Sequence, residues 1–229
     1  MGVYLNPGNV DFQEVLNSKI YVDKSELIQY TNSVLRTTQK YICVSRPRRF
    51  GKSMAANMLT AYYSRGCDSR EMFQGLKIAK HTDFEKHLNQ YNVIHLNMRD
   101  YLTESENMKQ LIQFVEEDLL DELQQEFADL RMPRRKTLVK VLEQAFAQYK
   151  IPFVFIIDEW DCIFRVHKSD AASQKTYLDF LRNLLKDKSY IALAYMTGIL
   201  PIKKYGEHSA INAFYEPHWN DAWRRQLLL

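Results

Sequence analysis

At 229 residues, with 46% hydrophobic and 26% charged side chains, the chain can bury one large core or two small ones, which argues against a disordered polyelectrolyte. Its 31 basic and 28 acidic residues leave a formal charge of +3, too small to make nucleic acid or an anionic membrane an obligatory partner. The three cysteines, Cys43, Cys67 and Cys162, are far apart, odd in number and without metal-ligand spacing, which suits a reducing compartment, with the cytoplasm as the default.

The N-terminus, "MGVYLNPGNV", lacks the basic then apolar pattern of a signal peptide, and no run approaches the ~20 apolar residues of a membrane span. The first buried strand is expected at "YICVS", residues 41–45, and it runs into "SRPRRFGKS", residues 45–53. Gly51, Lys52 and Ser53 stand where a phosphate-binding loop has its Gly-Lys-Ser, but Arg46 occupies the leading glycine position. A helix follows through "MAANMLTAYYS", with Met54, Met58, Leu59 and Tyr62 expected on one face. A strand, a loop and a helix in that order aim free backbone N–H groups and the positive end of the helix at phosphate.

Further strands are expected at 92–98, "NVIHLNM", at 153–158, "FVFIID", and at 191–198, "IALAYMTG". Helical periodicity fills the intervals: about 105–130, with an acidic outer face that reads as a solvated surface, then 133–149 with Pro133 in its first turn, then about 173–186. Strands alternating with helices predict an α/β fold, a parallel sheet flanked by helices, with ligands at the carboxyl ends of the strands. Scarce Pro and Gly and the lack of a repeat predict a single domain over 1–229.

Three strand ends carry chemistry. Lys52 is placed to reach β and γ phosphates and Ser53 to ligate Mg²⁺. The third strand delivers Asp158 and Glu159 to the same edge, Asp158 to hold Mg²⁺ and Glu159 to orient and deprotonate an attacking water. Thr197, at the tip of the last strand, is a candidate for contact with the γ-phosphate or that water, although threonine also suits strands sterically. Arg46, Arg48 and Arg49 supply cations for a triphosphate, or else form a solvated basic turn. These residues together point to a nucleoside triphosphate and Mg²⁺ as ligands and to hydrolysis of the β–γ phosphoanhydride, with ATP as the nucleotide that the resemblance below implies.

"SRPRRFGKS" with "FIIDEWD", "MTGILPI" and "IYVDKSELI" resembles the AAA-ATPase-like family of prokaryotic P-loop proteins, in which an arginine-rich loop of this form is usual. The resemblance runs from about Asp11 to Phe214 and implies an additional-strand P-loop fold with strand order 5-1-4-3-2. It carries Lys52 and Ser53 over as nucleotide and Mg²⁺ contacts, and Asp158 and Glu159 as the Mg²⁺ and catalytic carboxylates. Tyr21, Asp23 and Lys24 match the family too, with a place near the nucleotide base as the expectation. Family members commonly continue into a nuclease-like domain, whereas the ending here, from about residue 217, is atypical: a natural truncation, a frameshift and an interrupted gene all fit. The fifth strand is expected to be a stub at "NAFYE" before Pro217, which leaves "YICVS" as a self-associating edge unless the last residues fold over it. Two rival readings stay open: a nucleotide-binding regulatory or interaction module with little turnover, and a nucleic-acid contact through "RMPRRK", residues 131–136.

Overall fold

The computed structural model describes residues 1–201 and residue 214. Four strands, β1 (Tyr41–Ser45), β2 (Asn92–Asn97), β3 (Phe153–Asp158) and β4 (Ile191–Gly198), form one sheet in the order β1-β4-β3-β2, with every pairing parallel. Around it lie α1 (Val10–Leu16), α2 (Glu26–Val34), α3 (Lys52–Tyr63), α4 (Arg70–Phe73), α5 (Phe84–His87), α6 (Met98–Glu104), α7 (Met108–Glu126), α8 (Leu138–Tyr149), α9 (Cys162–Val166) and α10 (Ala171–Leu185).

A parallel sheet must be covered on both faces, and the strand residues sort accordingly by their period of two. Phe153, Phe155 and Ile157 of β3 point into one core with α7, α8 and α10, while Val154 and Ile156 point into the other with α1, α2 and α3. All six residues of β3 are buried, as are all eight of β4, so the two central strands read as unbroken apolar runs.

The helix boundaries differ from the sequence expectations for local reasons. The long helix starts at Met108, where the Asn107 side chain accepts from the Gln110 N–H at 3.1 Å, and it ends at Glu126 although Phe127 and Leu130 stay buried. The next begins at Leu138 and not at Pro133, because Arg134, Arg135 and Lys136 would set three cations against the positive end of a helix. β2 stops one residue early: Asn97 accepts from the Arg99 N–H at 3.1 Å and starts α6. In α3, Met58, Leu59 and Tyr62 are buried as expected, but Met54 is 40% exposed and belongs to a different surface.

Among the described residues, β1 pairs along one side only, with β4. The expected fifth strand and the tail from 217 lie outside the described residues apart from Phe214, whose ring meets Tyr41 edge-on at 5.4 Å. Among the described residues, no helix is long and apolar enough to cross a membrane.

His95 ties β2 to α3, its Nδ1 lying 3.1 Å from the Thr60 hydroxyl, and burial pushes its pKa below the ordinary value of 6.5 against the weaker opposing pull of Asp158. A folded pKa below the unfolded one gives stability that is complete above the unfolded value and is lost as pH falls beneath it. Urea unfolding between about pH 7.5 and about pH 5.5 should therefore show a larger loss in the wild type than in His95→Gln. Equal losses in the two proteins would show that His95 is not held neutral by the fold.

Candidate functional site

The carboxyl ends of the strands lie level, which brings residues distant in sequence to one line. Ser45 is in register with Gly198, Val44 with Thr197, and Asp158 with Asn97. Asp158 therefore stands beside Thr197 and near the loop that leaves β1.

Asp158 is almost fully buried and gathers three donors. The Ser53 hydroxyl donates to its Oδ2 at 2.5 Å, the Thr197 hydroxyl donates to its Oδ1, and the Glu159 N–H reaches the same oxygen at 2.9 Å. A buried carboxylate without donors would be heavily penalised, so these contacts fix the start of α3 against the end of β3.

The loop between β1 and α3 is shaped by its backbone. Arg49 (φ 68°) and Gly51 (φ 72°) are both left-handed, and Gly51 opens α3 so that Lys52 is its first residue. The Lys52 ammonium is turned back to donate to the Pro47 carbonyl at 3.1 Å, inside the loop. Arg46 does not enter the open space: its N–H donates to the Gly198 carbonyl at 3.0 Å and its guanidinium reaches the Ser45 carbonyl at 3.2 Å. The residue in the leading glycine position thus ties the loop to β4.

A cleft of about 570 Å³ opens in front of this loop, lined by Arg48, Arg49, Gly51, Lys52, Ser53, Met54, Arg99, Glu159 and Arg165. Five of those nine residues are cations and one is a carboxylate, so the cleft selects anions. Among the described residues Arg48, Arg49 and Arg99 make no ion pair, which leaves their charges available. Asp158 and Thr197 are not part of the lining; they stand behind Ser53 and hold it.

Glu159 reaches the cleft through a strained turn. Its φ is 52°, a conformation that non-glycine residues adopt at a cost of roughly 1–2 kcal/mol. The neighbouring Trp160 pins the turn: it is fully buried, its backbone N–H donates to the Thr197 carbonyl at 3.1 Å, and the Tyr177 hydroxyl donates to the Trp160 carbonyl at 2.9 Å. The Glu159 carboxylate is paired with Arg165 of α9, whose Nε also lies 3.3 Å from Asp161 Oδ2. Asp161 Oδ2 accepts from the N–H groups of Ile199 at 3.0 Å and Leu200 at 2.8 Å, fastening the chain that leaves β4.

The structure therefore brings Arg48, Arg49, Gly51, Lys52, Ser53 and Glu159 to one cleft, backs Ser53 with Asp158 and Thr197, and places Arg46 on the sheet side of the loop. Sequence reasoning does not single out Arg99, Arg165 or Asp161. Arg99 closely follows "NVIHLN", so the rule that ligands gather at the carboxyl ends of strands could have found it. Arg165 stands four residues after Asp161 at helical pair spacing, the signal for their contact. Of the residues matched by "IYVDKSELI", Asp23 accepts from the N–H groups of Ser25 and Lys77, both at 2.8 Å, and Lys24 donates to the Phe50 carbonyl at 3.4 Å, bracing the loop from outside. Burial, and secondarily the charge of Arg46, lowers the Lys24 pKa.

A parallel α/β sheet whose first strand turns through a cationic Gly-Lys-Ser loop into a helix, beside an acidic strand end, defines a protein of the P-loop kind. The family model described as predicted AAA-ATPase matches residues 7–206, and the chain belongs to this AAA-ATPase-like family. None of the curated proteins compared with the chain matches it.

Gly198 is the tightest joint in the site. A Cβ at this position would lie 2.7 Å from both Asp161 Oδ1 and Trp160 Nε1, two enclosed atoms that cannot retreat. Gly198→Ala should destabilise the fold by about 1–3 kcal/mol, whereas Gly75→Ala, where nothing lies within 4 Å, should change it by less than about 0.5 kcal/mol. Denaturant titration of both variants checks this, and a neutral Gly198→Ala would contradict the packing described.

Proposed function

We propose that the chain binds ATP together with Mg²⁺ at the β1–α3 loop and hydrolyses the β–γ phosphoanhydride. The observation that carries this reading is the convergence of Ser53, Asp158 and Thr197 behind a cleft lined by Lys52 and arginines. The phosphates would lie against the loop N–H groups and the start of α3, with Lys52 as the point charge on the β and γ groups and Arg48, Arg49 and Arg99 around them.

The residues present fit Mg²⁺. No cluster of three or more acidic, histidine or cysteine side chains exists among the described residues, so a cage made wholly of protein ligands is not available there. Mg²⁺ is instead commonly held by one or two protein oxygens, substrate phosphates and retained waters, and the Ser53 hydroxyl with the Asp158 carboxylate supplies hard oxygen donors of that kind. The ion would neutralise charge on the phosphates when bound.

Glu159 is the candidate base, oriented by the left-handed turn and anchored by Trp160. Lys52 must exchange the Pro47 carbonyl for phosphate oxygens. Thr197 acts through Asp158, whose orientation its hydroxyl fixes, and is a positioning residue in this scheme. The pairing of Glu159 with Arg165 favours a second reading, a nucleotide-binding module with little turnover, because the carboxylate must leave the guanidinium before it can orient a water.

Steady-state ATP hydrolysis with Mg²⁺ distinguishes the two. On the hydrolytic reading, Glu159→Gln lowers turnover by about 100-fold or more while ATP affinity stays within about threefold, since an amide holds a water but cannot take its proton. Equal turnover in wild type and variant would remove Glu159 from the chemistry. Lys52→Ala should weaken ATP binding by about tenfold to a hundredfold in titration calorimetry, and unchanged affinity would overturn the placement of the phosphates.

A further inference from the structure

Of the cations that line the cleft, Arg165 alone forms an ion pair among the described residues. Its root is fixed. Cys162, Ile163 and Phe164 of α9 are buried, so the core sets the position of this short helix and leaves only the Arg165 side chain to turn.

That side chain is poorly satisfied where it lies. A guanidinium has five N–H donors, yet among the described residues this one makes a single hydrogen bond, from Nη2 to the Glu159 carboxylate. Nε is enclosed and donates none; it lies 3.3 Å from Asp161 Oδ2, an oxygen already taken by the N–H groups of Ile199 and Leu200. The two acidic partners also differ in anchorage. The Asp161 side chain is completely buried and tied to the chain after β4, whereas that of Glu159 is 21% exposed at the cleft. Asp161 is therefore the pivot, and Glu159 the partner that can be exchanged.

We propose that Arg165 makes the cleft selective for a nucleoside triphosphate over a diphosphate: it leaves Glu159 for the γ-phosphate and so frees Glu159 to meet the attacking water. This rests on the placement of the phosphates given above and deepens it. Since Glu159 is the candidate base for attack at the γ phosphorus, its partner stands at the γ end of the nucleotide. A terminal phosphate carries more charge than a carboxylate and presents several oxygens to the planar guanidinium fork, so it draws Arg165 away. A diphosphate ends one group short and leaves the Arg165–Glu159 pair closed. Once free, Glu159 accepts a proton from the water as the water oxygen bonds to the γ phosphorus, and the bridging oxygen departs with the diphosphate.

The test is titration calorimetry with Mg²⁺, comparing ADP with an ATP analogue whose β–γ bridge is nitrogen and resists hydrolysis. The proteins are the wild type, Arg165→Gln and Arg165→Lys, each first checked for folding by denaturant titration. Arg165→Gln should weaken the analogue by about tenfold, leave ADP within about twofold, and lower turnover of ATP by about tenfold or more. Arg165→Lys keeps a charge but loses the fork, so the analogue should weaken by about threefold with ADP again within about twofold; it carries the comparison alone if Arg165→Gln does not fold. Equal weakening of both nucleotides would mean that Arg165 only shapes the cleft, and unchanged analogue affinity would mean that it only restrains Glu159. Either result overturns the proposal and leaves the phosphate site standing. A wild type that binds neither nucleotide would overturn the phosphate site itself, and the role of Arg165 with it.

Discussion

A carboxylate at the tip of a completely buried strand must be satisfied by neighbours, and at Asp158 that requirement organises everything around it. β3 is sealed on both faces, so Asp158 arrives at the sheet edge with little access to water. Its donors come from two other elements, Ser53 at the start of α3 and Thr197 at the end of β4. One carboxylate thereby sets the distance between the loop after β1 and the acidic end of β3. Those are the two places where a nucleotide and its metal ion would have to be held at once.

The same junction explains why strain is tolerated one residue later. Glu159 takes a left-handed backbone because Trp160 is locked into the core and tied to the Thr197 and Tyr177 chains, and Asp161 holds the peptide groups after β4. The turn cannot relax without moving Trp160. Arg165, on the short helix after the turn, then meets Glu159 and Asp161 together. The result is a cleft in which one carboxylate is held by a cation while Arg48, Arg49 and Arg99 remain open to an anion. Position, strain and charge therefore act in one direction.

Much of this is legible in the residues. The two central strands, β3 and β4, are apolar runs that end in polar residues and are buried on both faces, which leaves no alternation to confuse the reading, while β1 and β2 carry shorter apolar stretches. Lys52, Ser53, Asp158 and Glu159 are legible because a strand ending in chemistry, followed by a turn, fixes where the side chains emerge. The rest depends on tertiary placement. Arg46 is expected at the phosphates, but its N–H and guanidinium serve the sheet side of the loop, a choice made by Gly198 on a strand far away in sequence. Met54 fits the α3 stripe by spacing, yet in the first turn of that helix it lines the open cleft and stays 40% exposed. Arg165 offers only its four-residue spacing from Asp161 as a signal, and its contact with Glu159 depends on the turn that precedes the short α9. The short α1 and α2 carry too few turns for their pattern to stand out, although α1 and the segment after it wall a cavity beside the loop.

The central claim is that Asp158 and Ser53 together make nucleotide binding depend on a divalent ion. It is tested most directly by measuring ATP affinity with Mg²⁺ and again with the metal chelated, in the wild type and in Asp158→Asn, after denaturant titration has shown both folded. The account predicts a marked loss of affinity on chelation in the wild type and a much smaller one in Asp158→Asn, whose neutral amide is a poor partner for Mg²⁺. Identical metal dependence in the two proteins would contradict it.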